Sequence, residues 1–158
     1  MPNVVAADRL HFRQANASDV DVLVQFNQAM AKETENIGLP VATLKAGVLS
    51  VIQDRSKGTY HIGEVSQLQG VIVAALMITY EWSDWRNRQL WWIQSVYVHP
   101  QHRRKGYFRQ LYMHVKQLAQ SQEAGGLRLY ADNTNARAHT TYEALGMTSH
   151  YKVFEDMF

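Results

Sequence analysis

Residues 98–109, Val-His-Pro-Gln-His-Arg-Arg-Lys-Gly-Tyr-Phe-Arg, constrain the fold most, because a β-favouring run ends there and an amphipathic helix begins. Ahead of the stretch, residues 90–98 supply Trp91, Trp92, Ile93, Val96 and Val98, side-chain bulk that suits a pleated strand. Beyond it, Phe108, Leu111, Tyr112, Val115, Leu118 and Ala119 recur at helical spacing with Arg109, Gln110, Lys116, Gln117 and Gln120 between them, so the helix has one apolar face.

The joint itself carries Arg103, Arg104, Lys105 and Gly106. The first amides of a helix lack intrahelical acceptors, and the helix dipole adds partial positive charge at the same end. An anion such as a phosphate is their natural partner. Gly106 permits close backbone approach or an unusual dihedral, while the cations add a less directional attraction. A basic cluster ahead of a helix is also a common solvated turn, so the assignment needs support from elsewhere in the chain.

With 158 residues and 46% hydrophobic content, the chain suits one compact domain over residues 1–158. A formal charge of +2 is too small for a general nucleic-acid binder, and the basic patch is single and small. The absence of cysteine removes disulfides, thiolate nucleophiles and Cys-ligated metals together, and the seven histidines show no close metal-ligand spacing, so no metal is expected. The opening Met-Pro-Asn-Val-Val-Ala-Ala lacks a basic segment followed by a long apolar core, and the apolar run 71–80 is far short of a membrane span. The expectation is a soluble, cytoplasmic protein with no membrane partner.

Strands and helices alternate along the chain. Residues 10–14 read as a strand, and Asn16 caps a helix to residue 35. Thr43 caps a second helix over 44–54, and residues 59–65 and 71–80 read as antiparallel strands. After the strand at 90–98 and the helix that ends near 121, residues 127–131 form a short strand. Residues 135–145 form a last helix closed by Gly146, and 147–154 a last strand. The order predicts an α/β fold: a mixed, mostly antiparallel central sheet of about six or seven strands flanked by four helices on both faces.

Two separated motifs resemble the GNAT superfamily of N-acetyltransferases. Val98-x-Pro100-x-x-Arg103-x-x-Gly106 is similar to that family's fourth strand, pyrophosphate loop and third helix. Asn135-x-x-Ala138-x-x-x-Tyr142-x-x-Leu145-Gly146-Met147 is similar to its fourth helix. The resemblance implies acetyl-CoA as acetyl donor and a primary amine as acceptor. It places the pyrophosphate on the backbone of Arg103, Arg104, Lys105, Gly106, Tyr107 and Phe108, and the pantetheine arm along residues 90–98. A backbone N–H near Val96, Tyr97 or Val98 then serves the oxyanion. The resemblance counts Asn135 in the cofactor site; it could equally be a plain helix cap, and both roles can hold together.

The resemblance also implies that Tyr142 protonates the departing thiolate; on the residues alone it is equally a core tyrosine on an apolar helical face. The 90–98 strand has no carboxylate, so Gln94 can at most orient a water, and Glu81 and Asp84 are the candidate bases. Glu33 and Glu35, near the first interhelical loop, are candidates to attract a cationic amine. Trp82 and Trp85 are candidate aromatic walls for it, packing being the plainer account of the tryptophans.

Two features depart from the family. Small residues are usual at the positions of Arg104 and Phe108, and little chain remains after residue 154 for a seventh strand, so either the sheet lacks that strand or a second copy covers the edge as a homodimer. The leading expectation is acetyl transfer to a small-molecule amine. A peptide or protein amine acceptor and a non-catalytic acyl-CoA-binding domain are the alternatives.

Overall fold

The computed structural model describes residues 8–158; the opening heptapeptide read above lies outside the described residues. The chain forms two compact units, Met1–Arg128 and Leu129–Phe158.

The first unit holds five strands in the order β1-β2-β3-β4-β5: β1 (Leu10–Gln14), β2 (Thr59–Val65), β3 (Val71–Ser83), β4 (Arg88–Val98) and β5 (Gly126–Arg128). Neighbours run antiparallel except β4 and β5, which are parallel. Three helices accompany them: α1 (Val20–Glu35), α2 (Val41–Gln53) and α3 (Tyr107–Ser121). The second unit contains α4 (Ala136–Ala144).

The α/β class and the mixed, mainly antiparallel sheet stand as expected, with five strands in place of six or seven. Residues 147–154 take no strand among the described residues. Tyr151, Val153 and Phe154 remain exposed there, Phe154 by 91%, so no burial offsets the entropy of ordering an extended segment. Strand β5 also stops short, at Arg128, against an expected end at residue 131. Helix α2 starts at Val41, three residues before the expected 44, and its cap is Pro40 in place of Thr43. The fixed φ of proline lets the helix begin directly behind it. Asn16 caps as expected, although the turn it caps, Ala17–Asp19, is a 3-10 turn that leads into α1.

The pleat assigns residues to two helix-covered faces. Tyr60, Ile62, Ala75 and Tyr97 pack with Val20, Leu23, Val24 and Phe26 of α1 and Val48 of α2. On the opposite face His61, aligned with Leu76, meets His114 of α3 edge-on at 6.0 Å between ring centroids. Burial of these side chains, at about 25 cal/mol per Å2 of apolar surface, is the main force holding the layers.

Two local devices fix the β1–β2 end. Arg13 donates to Asp19 through both terminal nitrogens, at 2.8 and 2.9 Å, and through Nε to Glu64 at 2.8 Å. Gly58, at φ +147°, passes so close to β3 that a Cβ there would stand 2.5 Å from the Ile78 carbonyl oxygen.

Candidate active site

Strand β4 is irregular at one place. Ala75 faces Tyr97 and Met77 faces Gln94, so two residues of β4, Ser95 and Val96, oppose Leu76 alone. This is a β-bulge, and Ser95 takes a left-handed φ of 52°, a conformation that costs a non-glycine residue about 1 kcal/mol. The buried Tyr60 hydroxyl meets the side chains of Asn27 and Ser95, and burial pushes its phenol up from the ordinary tyrosine range. Asn27 in turn donates to the Leu23 carbonyl at 2.9 Å. The bulge thus rests on a buried polar group of α1 and β2. Nothing in the sequence pattern marks Ser95, Tyr60 or Asn27, since a bulge is a matter of register between distant segments.

The same strand loses a neighbour there. The β4–β5 ladder has three rungs, Leu90–Gly126, Trp91–Leu127 and Trp92–Arg128. Past Trp92, β4 continues to Val98 with β3 as its ladder partner, so the bulge lies beyond the last β5 rung. Gln94 donates to the Thr79 hydroxyl at 2.5 Å beside it.

At the end of β4 the chain makes a 3-10 turn, Pro100–His102, and then the loop ahead of α3. Arg104 and Gly106 both have positive φ, 62° and 75°. Left-handed residues in a turn ahead of a helix are the backbone from which anion-binding concavities are built, and here they stand at the uncapped start of α3. Gly106 is the cap of α3, has no side chain to take the first-turn amides, and has no atom within 4 Å of where a Cβ would stand. The left-handed Arg104 also explains why a small residue is usual at that position: glycine adopts this φ without strain. His102 stacks toward Tyr107 at 6.4 Å, and burial, then Lys105 and His99, depress its imidazole below the ordinary range.

Arg103 is committed differently. Its Nε donates to the Val98 carbonyl at 2.9 Å, a terminal nitrogen pairs with Glu33 Oε2 at 2.7 Å, and its guanidinium lies 5.3 Å from the Tyr97 ring centroid. Tyr97 donates its hydroxyl to the other Glu33 oxygen at 3.2 Å. Glu33 is therefore brought to the loop, whereas Glu35 ends α1 as an exposed residue.

The β3–β4 hairpin carries the other candidates. Glu81 pairs with Arg128, the last β5 rung, at 2.6 Å. Asp84 lies in the hairpin turn and accepts from the Trp85 amide at 2.9 Å. From Arg88 to Gln94 the strand climbs about 20 Å, so the turn stands far from the bulge. Trp82 and Trp85 are 59% and 86% exposed at that hairpin end, while Trp91 is buried and meets Tyr80 edge-on at 5.7 Å. An open cleft of about 210 Å3 is lined by Gln14, Asn16, Ile52, Arg55 and Tyr60, and none of the candidate site residues lines it.

In the second unit, Asn135 caps α4 by accepting from the Ala138 amide at 3.1 Å, and Gly146 closes it at φ 86°. Tyr142 is half-buried on α4, and burial pushes its phenol above the ordinary tyrosine range, so it keeps its proton at neutral pH. No group of three or more His, Asp or Glu side chains that could hold a metal is found among the described residues, and no helix there is long and apolar enough to cross a membrane.

Residues 29–147, which span both motifs, match the model of the acetyltransferase (GNAT) family. The chain belongs to the GNAT family. A solved structure of a possible acetyltransferase from Clostridium difficile 630 is similar to this GNAT chain at 40% identity, covering 94% of this chain and 97% of that one, with a TM-score of 0.87. The fold also matches a ribosomal-protein-alanine N-acetyltransferase from Brucella melitensis biovar Abortus 2308 (16% identity, 95% and 99% covered, TM-score 0.76). A third GNAT-like match is an aminoglycoside acetyltransferase from an uncultured soil metagenomic sample (14% identity, 94% and 95% covered, TM-score 0.71). None of the curated proteins matches the chain.

Proposed function

We propose that this GNAT protein transfers an acetyl group from acetyl-CoA to the primary amine of a small molecule. The observation that carries the reading is the loop ahead of α3, whose left-handed Arg104 and Gly106 and uncapped first turn support a backbone site for a diphosphate. Acetyl-CoA supplies an activated acetyl thioester.

The amides of residues 104–108 hold the diphosphate, with Arg104 and Lys105 adding charge. The stretch of β4 beyond its last β5 rung takes the pantetheine arm, and the bulge presents a backbone N–H near Val96 to the thioester carbonyl oxygen, where negative charge gathers during attack. The resemblance of the second motif supports Tyr142, protonated at neutral pH, as the donor of the proton to the leaving sulfur. Of the two candidate bases, Glu81 is better supported than Asp84, because its carboxylate pairs with Arg128, the residue of the last β5 rung, while Asp84 closes the hairpin turn. It takes the amine proton through water.

The test is thiol release from acetyl-CoA across a panel of small amines, amino acids, polyamines and peptide N-termini. Turnover with small amines is expected. Turnover with peptides alone would overturn the acceptor class, and no turnover with any amine, despite cofactor binding, would overturn catalysis.

A further inference from the structure

The charge of Glu33 suits a cationic amine, but both of its oxygens are already engaged: one with Arg103 at 2.7 Å, the other with the Tyr97 hydroxyl at 3.2 Å. The three side chains come from three elements: the last turn of α1, β4, and the first residue of the loop ahead of α3. Arg103 completes the circuit by donating back to Val98 and lying against the Tyr97 ring. Tyr97 is anchored from below by Phe26 of α1, 4.9 Å between ring centroids.

The geometry points to Glu33 and Tyr97 as positioning residues for the cofactor loop: they hold Arg103 so that the backbone amides following it are preset for a diphosphate, and Arg103 acts through this brace and not as a phosphate ligand. Three facts bear on this. Half-exposed ion pairs contribute little to stability, so a carboxylate with both oxygens used here serves geometry more than folding energy. The residue next to Arg103 is strained, and a strained dihedral persists only when its surroundings over-determine it. Preorganised donors also avoid the cost of ordering a loop upon binding.

The inference rests on the acetyl-CoA reading, and its test separates the two. Coenzyme A binding is measured by calorimetry for the wild-type chain, Glu33→Gln, Arg103→Gln and the double variant, with steady-state constants for acetyl-CoA and the amine alongside. Each single change is expected to weaken coenzyme A binding roughly fivefold or more, with the double variant no worse than the singles, because both remove one brace. The KM for acetyl-CoA rises while kcat and the amine KM stay within about twofold. Tyr97→Phe keeps the ring beneath Arg103 and loses the hydroxyl bond, and shows a smaller loss in the same direction.

Unchanged coenzyme A affinity in Glu33→Gln, losses that add in the double variant, or a rise in the amine KM alone would overturn the brace; the last result would return Glu33 to the amine. No binding by the wild-type chain would overturn the acetyl-CoA reading itself, and the brace with it.

Discussion

Asp19 receives both terminal nitrogens of Arg13, at 2.8 and 2.9 Å, while only 4% exposed. The same carboxylate accepts the Asn16 amide at 2.8 Å, so one side chain joins β1 to the start of α1. The Arg13 guanidinium holds the carboxyl well below the usual range, with the Asn16 bond adding to it against the opposing effect of burial.

Breaking this pair leaves a buried charge without its partner. Arg13→Gln is expected to cost about 3 kcal/mol, read as a lowered midpoint in urea unfolding with an unchanged slope. A depressed carboxyl contributes stability that is present above the unfolded value near 3.9 and lost as pH falls below it. The variant should therefore show a weaker loss of stability below pH 4 than wild type.

Gly58→Ala should be among the most damaging single-methyl changes in the chain. The added carbon meets the backbone oxygen of Ile78 at 2.5 Å, and φ +147° strains any L-residue. A loss of at least about 2 kcal/mol is expected in thermal or urea unfolding. Gly47→Ala in α2, with nothing within 4 Å of the new carbon, is the control and should be neutral or stabilising.

His61 is 1% exposed, its Nδ1 has no hydrogen-bond partner among the described residues, and its Nε2 is 3.1 Å from the Thr59 hydroxyl. Burial, then the neighbouring His114, push its imidazole down to about 4 from the ordinary 6.5. The unfolded chain then binds the proton that the folded chain refuses. Stability is complete above pH 6.5 and falls as pH drops toward 4, by about 3 kcal/mol over that window. His61→Leu should flatten the stability profile between pH 6.5 and 4, and an unchanged slope would remove His61 as its source.

Tyr142→Phe should lower kcat by about 100-fold while leaving coenzyme A affinity within about twofold. The phenol is half-buried and holds its proton at neutral pH, as an acid for a leaving thiolate must. Unchanged kcat would remove its proton-donor role.

What could be read from the sequence was what local chemistry determines. Apolar spacing in 108–119 and β-branched and aromatic bulk in 90–98 placed α3 and β4, because each signal lies within its own element. Asn135 and Gly146 marked the ends of α4 for the same reason. The bulge at Ser95 was invisible, since it arises from the pairing of β4 with β3 and not from the residues of β4 alone. Charge alone marks Glu33 as a candidate, yet its partner Arg103 is 70 positions away, and a sequence pattern does not show that an ion is already satisfied. The expected strand at 147–154 failed in the opposite way: its apolar residues suit a strand, but Tyr151, Val153 and Phe154 stay exposed and the segment takes no strand.

The most direct test of the central claim, that the Arg103-to-Phe108 loop binds the diphosphate of acetyl-CoA, is thermal unfolding of the whole chain with and without the donor. A ligand present at 100 times its Kd stabilises the folded state by about 2.7 kcal/mol, which for a chain of this size raises the Tm by about 5–10 °C. The account predicts that rise with acetyl-CoA and with coenzyme A; no shift at millimolar concentration of either would contradict it.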